Sequence, residues 1–281
     1  MPDVLPAQRQ EQILQEVQAN GGVRVSDLTE LLSVSDMTVR RDLDALARRG
    51  LVQKVHGGAT LPGRGSTDEP GFEAKSGQER PAKEAIARRA AEFVEPGTAV
   101  AVSAGTTTHA LARHLLRIPG LTVVTNSLPV AEVLHANRRP DHVVVLTGGV
   151  RTPSDALVGP VAVRAIRSLH VDLLFMGVHG IDPEAGFTSP NLMETETNRA
   201  MIAAARRLVV LADHTKWKVV GLSTIATLED ASMLITDSGL SNDARELLIG
   251  RVSELLVVDP ELEQPRLAAL PPEDADADVS A

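Results

Sequence analysis

The chain has 281 residues, 43% of them hydrophobic, no cysteine and a formal net charge of −9. That size accommodates a small domain beside a larger one with its own core, and the absence of cysteine excludes a disulfide framework, a thiolate metal site and a cysteine nucleophile. No run of eighteen apolar residues occurs and residues 1–20 are polar where a signal peptide is apolar, so a soluble, cytoplasmic protein with no membrane partner is expected.

The charge is unevenly placed. From Asp259 onward seven acids stand against Arg266 alone, net −6, whereas Ser35–Gly57 sums to +2 from Arg40, Arg41, Arg48, Arg49 and Lys54 against Asp36, Asp42 and Asp44. So small a basic footprint suits nucleic acid when it is presented in more than one copy.

Residues 7–19 carry Ile13, Leu14 and Val17 at helical spacing and stop at Asn20-Gly21-Gly22. Val23-Arg24-Val25 is short and β-prone, and Ser26–Leu32 reads as a capped second helix with Leu28, Leu31 and Leu32 on one face. After the link Ser33-Val34, Ser35 stands at an N-cap, and Val39, Leu43 and Leu46 recur at spacings of four and three. A third helix therefore runs to Arg49 and is closed by Gly50. Met37, Thr38, Arg40 and Arg41 lie near its start, the kind of helix end that a major groove admits. Leu51–Gly58 reads as a small β wing. Three helices and a hairpin make a winged helix-turn-helix over residues 1–58. Thr38 and Arg40 are expected on base edges, Ser35 and Arg41 on phosphates, and Met37, Lys54 and His56 at the same DNA surface. Adjacent arginines usually mean only a solvated helix face, but the cap, turn and wing around Arg40 and Arg41 favour DNA. The glycines after His56 serve a turn at least as readily as they serve a contact.

Residues 59–80 are rich in Gly, Pro, Ser and Thr and read as a linker. Pro81 opens an amphipathic helix that Pro96-Gly97 stops. Seven apolar runs then alternate with helical patterns, at Ala99–Val102, Leu121–Val124, Val143–Leu146, Leu173–Phe175, Leu208–Leu211, Met233–Ile235 and Leu255–Val258. Runs of that kind are buried parallel strands, so residues 81–260 are expected to form an open, mostly parallel α/β sheet. Residues 261–281 are acidic and expected to be disordered.

Ligands of open α/β sheets bind beyond the carboxyl ends of the strands, and five polar stretches fall there: Ser103–Thr108, Thr125-Asn126-Ser127, Thr147-Gly148-Gly149, Gly177–Asp182 and Asp213–Lys216. Gly105 admits a close backbone approach, and Thr106, Thr107 and Thr108 open a helix whose free N–H groups favour a phosphate. Lys216 adds positive charge, and Asn126, Asp182 and Asp213 are placed to bond sugar hydroxyls. One glycine-threonine turn equally well caps a helix; five polar loops at five strand ends point more firmly to a ligand. The eight histidines show neither HExxH spacing nor carboxylate clustering, so no metal site is expected. His109 and His114 read as local hydrogen bonders, Glu194 and Glu196 as acids favoured by a helix N-terminus, and Trp217 as a half-buried loop anchor.

Two signatures resemble the DeoR-type bacterial transcriptional regulators over residues 6–258. One is Arg9-Gln10-Glu11-Gln12-Ile13-Leu14 with Val34–Leu43 and His56-Gly57-Gly58-Ala59. The other is Ala104–Thr108, Thr125-Asn126-Ser127, Gly148-Gly149, Gly180-Ile181-Asp182 and Ala212–Lys216. The resemblance implies a sensor domain with the fold of ribose-phosphate isomerases and CoA transferases, a phosphorylated sugar as inducer, and a homo-oligomer, dimer or tetramer, that represses a sugar-catabolic operon. On that reading the effector site comprises Ser103, Gly105, Thr106, Thr107, Thr108, Thr125, Asn126, Ser127, Gly148, Gly149, Gly180, Asp182, Asp213 and Lys216, with no cofactor. Ser103 stands where many members have Asp, and Asn198 where Lys is common. The alternative is an isomerase-like enzyme using Asp182, Asp213 and Lys216 for acid–base work; it leaves residues 6–58 without a role.

Overall fold

The computed structural model describes residues 6–262 except Gly21, Ser33, Gly50, His56, 61–66, Asp68, Pro70 and Arg138. The chain divides into two compact units, with the boundary between Gly65 and Ser66.

The first unit contains α1 (Pro6–Asn20), β1 (Gly22–Arg24), α2 (Val25–Leu32), α3 (Asp36–Arg48), β2 (Gln53–Val55) and β3 (Gly58–Thr60). The apolar spacing read in the sequence closes into one small core of Ile13, Val17, Val25, Leu28, Val39, Leu43, Leu46, Val52 and Ala59. The second helix begins one residue before Ser26, whose hydroxyl bonds Asp27 (2.9 Å) and caps nothing. The wing has a third strand: β3 pairs antiparallel with both β2 and β1, Val23 opposite Ala59. This explains Gly58, where a Cβ would stand 2.1 Å from the Val23 carbonyl oxygen.

The second unit runs through α4 (Phe72–Ser76), α5 (Arg80–Ala91), β4 (Ala99–Val102), α6 (Thr106–Leu115), β5 (Thr122–Thr125), α7 (Leu128–Ala136), β6 (Val143–Leu146), β7 (Val150–Arg151), β8 (Leu157–Val158), α8 (Pro160–Ile166) and β9 (Val171–Gly177). It continues with β10 (Gly180–Asp182), β11 (Gly186–Ser189), α9 (Leu192–Ala204), β12 (Ala205–Leu211), β13 (Ser223–Ala226), β14 (Met233–Asp237), α10 (Asn242–Ile249) and β15 (Leu255–Val258). All seven expected strands join one sheet, in the order β15-β14-β12-β9-β4-β5-β6 and parallel throughout. Their runs are uniformly apolar because alternate side chains feed two cores. Leu173 and Phe175 of β9 pack with Val100, Val102, Val209 and Leu211 under α5–α7, while Leu174 and Met176 pack with Ala101, Val210 and Leu234 on the face covered by α8 and α9.

The strand order places the site. After β4 the chain adds β5 and β6 on one side, then crosses to β9, β12, β14 and β15 on the other. The reversal falls between β4 and β9, where the crevice at the carboxyl ends opens.

The stretch expected as a linker, 59–80, carries structure at both ends. Residues 58–60 belong to the wing, and 72–76 form α4 on the second unit. A five-residue helix is too short to show periodicity, which is why composition alone read as linker. The acidic tail lies, past Leu262, outside the described residues.

Candidate functional site

In the first unit, Ser35 is the N-cap of α3, its Oγ accepting from Thr38 N at 3.2 Å and bonding Thr38 Oγ1 at 2.9 Å. Burial of Val39, Leu43 and Leu46 turns the opposite face outward, so Met37, Arg40 and Arg41 are exposed at spacings of three and four. Met37 is 62% exposed, unusual for so apolar a side chain. Arg40 folds back on Asp36, Nε to Oδ1 at 2.5 Å and Nη2 to Oδ2 at 3.3 Å. Lys54 falls in β2; His56 lies outside the described residues.

Asp42 has a different part from its neighbours. It is only 4% exposed and accepts from Arg9 Nε at 2.5 Å and Gln10 Nε2 at 3.1 Å, tying α1 to α3.

In the second unit a cleft of about 730 Å³, its open mouth included, lies at the β4/β9 reversal. Ala104, Gly105, Thr106 and Thr107 line it from the turn into α6; Gly177, Val178 and His179 from the end of β9; Leu211 from the end of β12 and Lys216 from beyond it. Glu69, Phe72 and Lys75 form a further wall, and Ser154, Ser189, Pro190, Glu194, Asn198 and Ile225 complete it. Free N–H groups at the start of the ten-residue α6 attract anions, and Lys75 and Lys216 add ammonium groups. Glu194 accepts from Thr152 Oγ1 at 2.9 Å, from Ser154 Oγ, and from Ser189 Oγ at 3.4 Å. Glu69 accepts from Asn191 Nδ2 at 2.9 Å. Burial raises the Glu69 pKa and neighbouring Glu194 adds to the rise, against the Asn191 bond and Lys75.

Of the fourteen residues expected at the effector site, Gly105, Thr106, Thr107 and Lys216 line the cleft. The other ten hold the loops that shape it. Asn126 accepts from Ala104 N at 3.0 Å and donates to the Leu157 carbonyl at 3.2 Å. Ser103 Oγ accepts from Gly177 N at 3.1 Å, joining the ends of β4 and β9. Thr125 donates to the Val102 carbonyl, Thr108 to the Gly105 carbonyl, and Ser127 caps α7. Asp182 accepts from Glu184 N and Ala185 N in a turn. Gly148, Gly149 and Gly180 are backbone necessities; a Cβ on Gly149 would stand 2.5 Å from the Val158 carbonyl oxygen. Asp213, 1% exposed, caps the 3₁₀ turn His214–Lys216 through Thr215 N at 3.1 Å.

That turn is anchored by His214, whose Nδ1 bonds Asp237 Oδ2 at 2.8 Å while its N–H donates to Oδ1 at 2.7 Å. The Asp237 hydrogen bond raises the His214 pKa above 6.5, with Glu79 and Asp213 contributing charge, despite the opposing effect of burial. Burial pushes the Asp237 carboxyl up, but the His214 bonds and charge outweigh it and hold it below 3.8. A raised histidine stabilises fully below its unfolded value and loses that contribution as pH rises through the folded one; a depressed aspartate loses its share as pH falls through its folded value. The melting temperature of wild type minus that of His214→Gln should therefore be widest below pH 6.5, down to the range where Asp237 protonates, and narrow as pH rises above 6.5 through the raised folded value. A difference independent of pH would contradict this linkage.

Residues 9–64 match the DeoR-like helix-turn-helix domain and residues 78–238 the DeoR C terminal sensor domain. The chain belongs to the DeoR family. It is 37% identical over 239 residues to the HTH-type transcriptional regulator GolR of Listeria innocua, covering 85% of this chain and 93% of that one. It is 32% identical over 232 residues to the glycerol-3-phosphate regulon repressor of Escherichia coli, covering 82% and 90%. Among solved structures, ribose 5-phosphate isomerase A of Methanocaldococcus jannaschii aligns at 16% identity and a TM-score of 0.35, over 48% of this chain and 53% of that one. As a DeoR-family member the chain is a DNA-binding transcription regulator whose second unit is the sensor. Among the described residues no group of three or more potential metal ligands occurs, and no helix is long and apolar enough to cross a membrane.

Sequence reasoning missed Glu69, Phe72, Lys75, Ser154 and Glu194 as cleft residues, while Asn198, singled out as a departure from the DeoR-type pattern, does line the cleft. For Glu194 a signal existed: a carboxylate behind Ser189-Pro190-Asn191, at a strand-to-helix turn like those counted as binding loops. The helix dipole accounted for it too easily. Trp217 is a loop anchor, bridged to Ile181 and packed on the second core.

Proposed function

We propose that this protein is a sequence-specific repressor that a phosphorylated sugar, bound in the cleft at the β4/β9 reversal, releases from its operator. The observation that carries the reading is the composition of the cleft. The start of α6 and two lysines offer anion binding, beside hydroxyls and carboxylates suited to a polyol. The name of the glycerol-3-phosphate regulon repressor supports a phosphorylated ligand for that relative, and the same class is inferred here. The site acts as a sensor without turnover, in the cytoplasm, where operator DNA and sugar phosphates meet.

Repression requires two copies, because one recognition helix with a local charge of +2 grips weakly. The exposed Val143, Val144 and Leu146 of edge strand β6 support a self-associating surface. Recognition helices of a dimer then enter successive major grooves about 34 Å apart.

A thermal-shift screen of aldose, ketose and polyol phosphates tests the ligand class, since a compound that binds only the folded state raises its melting temperature. Lys216→Ala should weaken the best hit roughly tenfold or more, the worth of one charged hydrogen bond, with the ligand-free melting temperature kept. An unchanged titration would remove Lys216 from the site. Steady-state isomerisation of the hit would overturn the sensor reading.

A further inference from the structure

The chain that leaves the DNA-binding unit supplies a wall of the effector cleft at once. Glu69 is four residues beyond Gly65, and it lines the cleft with Phe72 and Lys75. This strap is fastened at several points. Phe72 N donates to the Pro153 carbonyl at 3.2 Å, and the Phe72 ring meets His109 of α6 edge-on, centroids 5.3 Å apart. From α5 the buried Lys83 ammonium donates to the carbonyls of Lys75 (2.8 Å) and Gln78 (2.5 Å).

One strap atom meets no donor group among the described residues. Glu69 Oε2 takes the Asn191 bond, whereas Oε1 is buried without one, and the Glu194 carboxylate lies close enough to share a proton with Glu69. Burying an acceptor without a donor is costly, and the closeness of Glu194 makes it more so. Two neighbouring carboxylates are best satisfied by a donor placed between them. A sugar hydroxyl is such a donor; a phosphate oxygen is not, and its charge would be repelled. The two carboxylates thus orient the ligand, leaving its phosphate to the start of α6 and Lys216.

We propose that Glu69 is an effector-contacting residue, accepting through Oε1 from a hydroxyl of the bound sugar phosphate, so that occupancy is felt first on the strap leading into the DNA-binding unit. The proposal rests on the sugar-phosphate reading of the cleft. It adds the orientation of the ligand and the element that senses it.

Calorimetric titration of wild type, Glu69→Ala and Glu69→Gln with ribose 5-phosphate, fructose 1-phosphate, fructose 6-phosphate and glycerol 3-phosphate tests it. The tightest of these on wild type should bind Glu69→Ala roughly tenfold or more weakly. Glu69→Gln keeps the volume and an acceptor for Asn191 but sets an NH2 where Oε1 stands, and it should be impaired as well. Ligand-free melting temperatures should stay at the wild-type value. Wild-type affinity in Glu69→Ala overturns the proposal. So does full recovery in Glu69→Gln, or a loss of affinity accompanied by a matching loss of ligand-free stability, since either makes Glu69 only structural. If none of the four binds wild type, the sugar-phosphate reading fails and the proposal falls with it, an outcome distinct from tight binding that ignores Glu69.

Discussion

Asp42→Ala is expected to cost the DNA-binding unit about 3 kcal/mol, the low end for breaking a buried ion pair from one side. Its carboxylate is almost wholly buried and holds Arg9 and Gln10 of α1 against α3. Removing it takes a carboxylate away from a guanidinium whose side chain is only 11% exposed. A unit of this size has little stability to spare, on the order of 5 kcal/mol. The variant should therefore show an early melting transition for the first unit and lose operator binding, while the second unit keeps its transition and its ligand. Differential scanning calorimetry with and without the effector separates the two transitions. An unshifted first transition would mean that water replaces the carboxylate at little cost. Although Asp42 is adjacent to two arginines of the exposed face, its effect on DNA binding is predicted to be indirect.

Arg40→Ala should weaken operator binding by about 1–3 kcal/mol and relax base preference at one position of each half-site. In the free protein the guanidinium is held by Asp36, but that pair is solvent-exposed, with side chains 54% and 58% accessible. Exposed i, i+4 pairs contribute little, so a guanine edge competes successfully for the same donors. Arg41→Ala should instead weaken every sequence alike and reduce the salt slope by about one. Fluorescence anisotropy against a set of single-base operator variants at fixed salt distinguishes the two. Equal losses across all variants for Arg40→Ala would reassign Arg40 to the phosphate backbone.

The seven strands were legible because a parallel strand buried on both faces is written as an unbroken apolar run, as in Leu173–Phe175 and Leu208–Leu211. The helix-turn-helix was legible because Ser35, Val39, Leu43 and Leu46 each obey local rules of capping and spacing. The cleft was only partly so. Thr106, Thr107 and Lys216 line it, yet Asn126 and Asp182, polar residues at the same kind of strand end, bond to neighbouring backbone instead. Strand order separates Asn126, whereas Asp182 follows β9 and is taken up by its own turn, accepting from Glu184 N and Ala185 N. The loops after β4, β9 and β12 flank the reversal, whereas those after β5 and β6 lie on the outer side of β4, and no local pattern encodes that order. The Glu69–Glu194 pair is also invisible in one dimension, because it joins a residue three positions before the five-residue α4 to one in the first turn of α9, far away in sequence.

In the proposed mechanism one ligand couples the cleft to the operator. A hundredfold loss of operator affinity needs only about 2.7 kcal/mol of coupling, and a ligand of equal affinity for the free and DNA-bound forms would produce none. The most direct measurement is therefore an anisotropy titration of the operator-bound protein with the sugar phosphate that most raises its melting temperature. Release of DNA at concentrations that saturate the cleft, shifted to higher concentrations by Lys216→Ala, is the predicted result. A sugar phosphate that binds the cleft tightly and leaves operator affinity unchanged would contradict it.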